Sequence, residues 1–359
     1  MATTGAEMTL EERFALCRSV GEECIQEEEL RALLSAKPNP VCYDGFEPSG
    51  RMHIAQGVQK AMNVNKLTKS GCKFVFWVAD WFAMLNNKMG GDLKKIRVVG
   101  EYFVEIWKSL GMDMSNVEFK WASEEITKHG DVYWPLVMDI ARLNTVTRVL
   151  RCGPIMGRND EGEDLPASQI MYPCMQAADI FFLKADICQL GMDQRKVNML
   201  AREYCETCKP KRKYKPIILS HHMLSGLKEG QTKMSKSDPK SAIFMEDEEQ
   251  SVREKIKGAF CPVGQVEGNP CMDYMKHIVF PKLGTVLIKR SADNGGDKEY
   301  TSYEEMAADY SSQALHPGDL KPALTAALNE ILQPVRDHFN NDPKAKELLE
   351  KVKRWRATR

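Results

Sequence analysis

Four places in this chain combine residue types and spacings that suit chemistry on a small polar molecule. Tyr172, Gln176 and Asp179 are spaced by four and three, which puts a phenol, an amide and a carboxylate on one helical face. Their neighbours Met171, Met175, Ala177, Ala178, Ile180 and Phe181 are apolar, so that helix is expected to be largely buried. A buried polar group left unpaired costs about 1–3 kcal/mol. Either the fold pairs these groups internally or a bound molecule does. The second reading describes a pocket for a polar molecule with an aromatic part. The next place, Gly191-Met192-Asp193-Gln194, follows an apolar run and opens a helical one. Asp193 there suits either a helix cap or a ribose hydroxyl, and Gln194 would face a crevice. The stretch Gly230–Ser237 carries Lys233 and Lys236 among small residues, either a solvated turn or a pair of cations able to swing onto a polyphosphate. Finally, His53 stands where a strand gives way to a helix, as a cap, a core residue or an anion contact.

The elements that must position these residues are legible. Residues 41–46 read as a short strand, broken by Pro48, Ser49 and Gly50 because Pro fixes φ and Gly accepts positive φ. From Met52 the apolar residues follow a helical period. A strand feeding a helix through a glycine turn is where an α/β sheet places anions, since the helix N-terminus offers free N–H groups. Residues 73–79 are a continuous apolar run, as in a strand buried on both faces, and residues 117–121 alternate as a third strand. Helices are expected over 10–24, 27–35, 91–110, 173–183 (started by Pro173) and 193–204, with further strands at 185–190 and 215–219. The fold class is therefore α/β: a Rossmann-like, doubly wound parallel sheet with an inserted connective segment, plus a mostly α-helical C-terminal domain. The expected boundaries are 1–38 for N-terminal helices and 39–246 for the sheet domain. The latter includes an insertion at about 131–171 and a lysine loop at 230–240. The helical region is 247–359, with a strand or extended link at 282–290.

Composition narrows the classes. Of 359 residues, 43% are apolar and 28% charged, with 50 cations balancing 50 anions, so net charge announces no nucleic-acid partner. The charges are uneven, however, with basic clusters at 209–215 and 351–359, and a local basic face remains open. No run of 18 apolar residues suggests a membrane span, and the N-terminus lacks a secretion pattern. Eleven scattered cysteines suit free thiols in a reducing cytoplasm. Cys205 and Cys208 form a CxxC without a second Cys or His pair, so no protein-bound structural metal is expected.

These residues also carry a resemblance. Lys233-Met-Ser-Lys-Ser237 matches the KMSKS signature of class I aminoacyl-tRNA synthetases, and His53-Ile-Ala-Gln-Gly57 resembles their HIGH signature. Along nearly its whole length the chain resembles the archaeal and eukaryotic type of tyrosyl-tRNA synthetase. The matching segments are 43–50, Tyr172-Pro-x-Met-Gln176 with Asp179, Gly191-Met-Asp-Gln-Arg-Lys196 and His316-Pro-Gly-Asp-Leu-Lys321. The resemblance implies roles. Tyr43 and Asp179 would grip the phenolic hydroxyl of a substrate tyrosine, and Tyr172, Gln176 and Gln194 its ammonium end. His53 and Gln56 would contact ATP, with Gly45, Gly57 and Gly191 making room and Asp193 on the ribose. Lys233 and Lys236, around Met234, would stabilise departing pyrophosphate. Arg151 and Arg195 would read the acceptor stem of tRNA(Tyr), and His316 and Asp319 the anticodon. Asp319 has a second reading as a helix cap. The implied substrates are ATP with Mg2+, L-tyrosine and tRNA, and the implied assembly is a homodimer using residues 131–151. Two rival readings are a tryptophanyl enzyme and a catalytically silent RNA-binding or signalling relative. Three departures stand out: Gln56 in place of the second histidine of HIGH, Lys236 where relatives often have serine, and Ala79-Asp-Trp-Phe82 in the pocket wall.

Overall fold

The computed structural model describes residues 8–156, 165–232, 234 and 238–355. Six strands form the main sheet: β1 (Glu23–Ile25), β2 (Val41–Phe46), β3 (Lys73–Val78), β4 (Val117–Trp121), β5 (Ile187–Cys188) and β6 (Ile217–Ser220), in the order β1-β6-β5-β2-β3-β4. All pairs are parallel except β1 with β6. The antiparallel edge strand corrects the expectation of helices alone before residue 39. The first helix stops at Arg18, and Glu23–Ile25 pairs with Ile218–Ser220. A second, two-stranded sheet joins β7 (Val286–Ile288) to β8 (Lys298–Tyr300) within the otherwise helical C-terminal region.

The chain runs from β2 outward through β3 to β4, then returns to build β5 and β6 on the other side of β2. The order therefore reverses between β2 and β5, and a crevice opens beyond the carboxyl ends of these two strands. Side-chain alternation assigns the two faces. Cys42, Phe46, Phe74, Phe76 and Val78 enter one buried cluster, while Tyr43, Trp77, Cys188 and Ile218 enter the other. On the first face Phe76 stacks on Trp107 (4.6 Å) and Phe119 (5.0 Å), fixing the Leu93–Ser109 helix against β3 and β4. On the second, Tyr43 and Trp77 meet the Gly130–Arg142 and Ser168–Phe182 helices. Asp44 breaks the pattern, being a buried carboxylate on the face of Cys42 and Phe46.

The Ser168–Phe182 helix starts five residues before Pro173, so that proline lies inside it and not at its first position. Residues 54–69 begin as a π-helical turn, Ala55–Gln59, before the α-helix Lys60–Lys69. Beyond residue 247 the helices Glu249–Lys257, Tyr303–Ser311, Pro317–Asn341 and Pro343–Arg354 make up most of the region expected to be helical. Among the described residues no helix is long and apolar enough to cross a membrane.

Candidate active site

A cavity of about 1090 Å³ occupies the crevice at the β2–β5 reversal. One end is bounded by Tyr43, Trp77, Ala79, Phe82, Tyr172, Gln176 and Asp179, the other by His53, Gln56, Gln59, Lys60, Asp193 and His221. The sequence-expected residues Tyr43, Gly45, His53, Gln56, Tyr172, Gln176, Asp179, Gly191, Asp193, Gln194 and Met234 all line this one cavity. Gly57 does not. It is buried with Met245 so close that a Cβ would lie 2.3 Å from the Met245 sulfur, so its bareness serves packing. Lys233 and Lys236 lie outside the described residues, as do Ser235 and Ser237.

At the first end Asp179 is 1% exposed and accepts a hydrogen bond from the Tyr133 hydroxyl at 2.7 Å. Burial holds its carboxyl well above the usual carboxylate range, and the Tyr133 hydrogen bond opposes this. Tyr43 is 1% exposed, and burial and the Asp179 charge both raise its phenol. Its hydroxyl makes no hydrogen bond among the described residues. A Cβ on Gly45 would lie 3.0 Å from that hydroxyl, so glycine keeps the space around it clear. The buried indole N–H of Trp77 is directed at Asp179 and, with Tyr133, counters the effect of burial on that carboxyl, although it falls short of a well-formed hydrogen bond. The floor of this end thus presents the Asp179 carboxyl and the Tyr43 phenol to whatever enters.

Tyr172 donates to Glu47 Oε1 at 2.7 Å and packs edge-on to Phe82. Glu47 is in turn held by Asn86 at 2.9 Å. Gln176 donates to Gln194 Oε1 at 3.0 Å, and Gln194 donates to the Ile155 carbonyl at 3.2 Å. The two amides bridge the long helix to the start of the Arg195–Thr207 helix.

At the second end the His53 ring sits at the helix mouth, where its Nδ1 accepts from the Gln56 amide at 3.4 Å. Gln56 Oε1 is buried without a partner. An amide offers either N–H or O after a flip, so this side chain suits a phosphate oxygen or a ribose hydroxyl equally. Lys60 forms an ion pair with Asp44 across the cavity wall. Burial pushes its ammonium down to about 7, and the Asp193 charge opposes this. His221 is pushed down to about 3 by burial and by Lys60. It is therefore neutral, with Nδ1 accepting from Gln189 at 2.7 Å. Residues 35–333 match the family model of class I tRNA synthetases for tryptophan and tyrosine.

The chain belongs to the class I tRNA synthetases. Within them it is 65% identical over 350 residues to cytoplasmic tyrosine–tRNA ligase 1 of Arabidopsis thaliana, covering 98% of this chain and 90% of that one. Among solved structures, Leishmania major tyrosyl-tRNA synthetase in complex with tyrosinol aligns with TM-score 0.90 at 54% identity. That alignment covers 97% of this chain and 52% of the other, so this chain spans about half the length of the Leishmania protein. The Pyrococcus horikoshii tyrosyl-tRNA synthetase complexed with L-tyrosine aligns with TM-score 0.88 at 36% identity, covering 96% of this chain and 100% of that one.

The remaining family-derived residues lie outside the cavity wall. Arg195 is engaged by Glu23 of β1 at 2.6 Å, and Arg151 is exposed just after the Val146–Leu150 helix. His316, and not Asp319, caps the Pro317–Asn341 helix, its Nδ1 accepting from the Gly318 amide at 3.0 Å. Asp319 sits in the first turn of this helix, half-buried.

Sequence reasoning missed Glu47, Lys60, Trp77, Tyr133 and His221. Tyr133 and Glu47 meet partners far away in the chain, Asp179 46 residues on and Tyr172 125 residues on. One available signal was Asp44, a charge within a strand between Cys42 and Phe46, which calls for a buried partner.

Proposed function

We infer that this chain is a tyrosine–tRNA ligase. It activates L-tyrosine with ATP to give tyrosyl-adenylate and pyrophosphate. It then transfers the tyrosyl group to the 3′-terminal adenosine of tRNA(Tyr). The observation that carries this reading is the buried Asp179 beside the free hydroxyl of Tyr43, at the closed end of a cavity whose other end offers His53 and a helix mouth. A phenol entering there donates to Asp179 and accepts from Tyr43. Phenylalanine in the same place leaves both unpaired. Tyrosine-specific enzymes of this class are known to reject the analogue lacking the hydroxyl in this way, without an editing step. An indole offers one N–H and no acceptor, which disfavours tryptophan.

Tyr172, Gln176 and Gln194 then hold the amino group, which sets the tyrosine carboxylate facing the phosphate end. The carboxylate attacks the α-phosphorus of ATP, the bond to the β-phosphate oxygen breaks, and pyrophosphate leaves. No protein nucleophile is required; the work is positioning and charge stabilisation. His53 and Gln56 serve the phosphates, Gly191 and Asp193 the ribose, and Lys233 and Lys236 the departing pyrophosphate. Mg2+ accompanies ATP as part of the substrate. The region 39–246 performs this chemistry, and residues 247–359 carry the anticodon contacts His316 and Asp319. The Arabidopsis relative is named cytoplasmic, and the same compartment is proposed here.

A homodimer is also proposed. Val132 and Met138 on the Gly130–Arg142 helix, Val146 beyond it, and Ile170 and Met171 are exposed apolar residues in or near the inserted segment. Exposed apolar surface of this kind suits a second copy of the chain.

Tyrosine-dependent exchange of pyrophosphate into ATP tests the main reading. Exchange with tyrosine, and not with phenylalanine or tryptophan, is expected. No exchange, or exchange led by tryptophan, overturns it.

A further inference from the structure

We infer that His222 is a positioning residue: its imidazolium, clamped between Glu22 and Asp273, fixes the stretch of cavity wall at residues 222–232. The role in catalysis rests on the ligase reading above; the clamp itself does not. His222 Nδ1 faces Glu22 Oε2 at 3.1 Å, and its Nε2 faces Asp273 Oδ1 at 2.9 Å. A neutral imidazole has one N–H, and ionised carboxylates only accept. The ring that satisfies both carboxylates therefore carries both protons and a positive charge. Burial works against that charge, but Asp273 and Glu22 outweigh it and raise the imidazole above its usual value. His277 lies face to face on His222, with centroids 3.9 Å and planes 15° apart, and its Nε2 is 3.6 Å from Asp273 Oδ1. It is pushed down to about 4 by burial first and then by the His222 charge, with Lys276 adding to this, so it stacks as a neutral ring.

The clamp joins three parts of the chain. Glu22 precedes β1, His222 follows β6, and Asp273 lies on the helical turn Pro270–Tyr274. Asp273 passes the hold on, because its Oδ2 accepts from the Ser225 amide (2.9 Å) and hydroxyl (2.7 Å). The next residues are tied in turn. The Gly226 amide donates to the Gln231 carbonyl at 3.0 Å, and the Leu227 amide to the Ser241 carbonyl at 2.9 Å. His222, Met223, Leu224, Gly230, Gln231 and Thr232 line the cavity, and the His222 carbonyl accepts from Gln59 at 3.1 Å. Lys233 and Lys236 follow directly in the sequence. Loss of the cation would leave the mostly buried Asp273 uncompensated beside this wall. Sequence spacing did not lead to the clamp because 51 residues separate His222 from Asp273.

The test compares the full-length wild type with His222→Gln and His222→Arg. Amide hydrogen exchange, read by mass spectrometry on the peptide holding Ser225, reports the clamp without reference to activity. His222→Gln should speed that exchange about 10-fold, the scale of one hydrogen bond to a charged group. In tyrosine-dependent pyrophosphate exchange it should lower kcat about 10-fold and leave the tyrosine KM unchanged. A raised folded value means that the His222 contribution is complete below the unfolded histidine value and is lost as pH rises through the folded one. The kcat ratio of wild type to His222→Gln should therefore fall toward one as pH rises through that range. The ratio of His222→Arg to His222→Gln should stay constant, since arginine keeps its charge. Glu22→Gln leaves the ring and Asp273 in place and serves if a His222 variant fails to fold; it should move the wild-type transition to lower pH. Unchanged Ser225 exchange in His222→Gln, a kcat ratio constant with pH, or an unmoved transition in Glu22→Gln would overturn the proposal. If the wild type shows no pyrophosphate exchange, the ligase reading falls and the Ser225 amide alone decides the clamp.

Discussion

At the end of the cavity proposed to hold tyrosine, Tyr43, Tyr172 and Asp179 are at most 5% exposed, and Asp179 and Tyr172 are each tied to a partner from another element. At the end proposed to hold the phosphates, His53, Gln56 and Asp193 are half-buried, and Gln56 keeps a polar atom unsatisfied. The difference follows from what each end must do. Telling one amino acid from another depends on desolvated groups that suffer when unmatched. Handling a polyphosphate depends on donors and cations that meet a charge developing during reaction. A buried carboxylate is a poor way to stabilise a fold, so the first end trades stability for discrimination; the second end also buries charge, but there Lys60 and Asp44 neutralise each other.

Substitutions at each end should separate these terms. Asp179→Ala is expected to have the largest effect, reducing the preference for tyrosine over phenylalanine about 10³-fold or more in pyrophosphate exchange, with the KM for ATP nearly unchanged. Retained discrimination would break the comparison. His53→Ala should lower kcat about 10²-fold, the scale seen on removing one transition-state donor, with little change in the tyrosine KM. A rise in tyrosine KM instead would place His53 at the wrong end. Tyr43→Phe should cost discrimination about 10-fold, the worth of a hydrogen bond of about 1.4 kcal/mol, and leave the melting temperature unchanged because that hydroxyl has no internal partner.

A stability measurement sharpens the same contrast. The folded-state pKa of Asp179 is raised, so the fold favours its protonated form. The stability this lends is complete below the unfolded carboxylate value and is lost as pH rises through the folded one. Asp179→Asn keeps the shape without the charge. Its melting temperature should therefore gain on the wild type as pH rises above the ordinary carboxylate range, and a constant difference would refute the argument. The smallest effect is expected at Arg195, whose guanidinium is engaged by Glu23. Arg195→Ala should weaken tRNA charging modestly, lower the salt slope of tRNA binding by about 1, and spare pyrophosphate exchange.

The fold was legible wherever local pattern decided it. The strand 41–46, the apolar run of β3 and the alternation of β4 stand where periodicity puts them. The misses share a cause. β1 has three residues and exists because Ser220 to Ile218 offers it an edge. Pro173 reads as a helix start, yet the helix begins earlier because Gln169 and Tyr172 are already buried on the same side. In the site, motif residues declared themselves. Tyr133 and Glu47 did not, since a tyrosine or a glutamate acquires meaning here only through a partner brought by topology.

The π-helical turn Ala55–Gln59 has one more consequence. Each helical residue advances the azimuth by about 100°, and the wider turn absorbs one such step. Ala55, Gln56 and Gln59 therefore share the cavity side, while Val58, Ala61, Val64 and Leu67 still meet the core. The turn works as a phase adjuster between a catalytic register and a packing register. A deletion of one residue there would let the helix re-form as regular α and keep its core contacts, while rotating the cavity-side amides out of register. The chain carries its reading frame for the active site in the pitch of one helical turn.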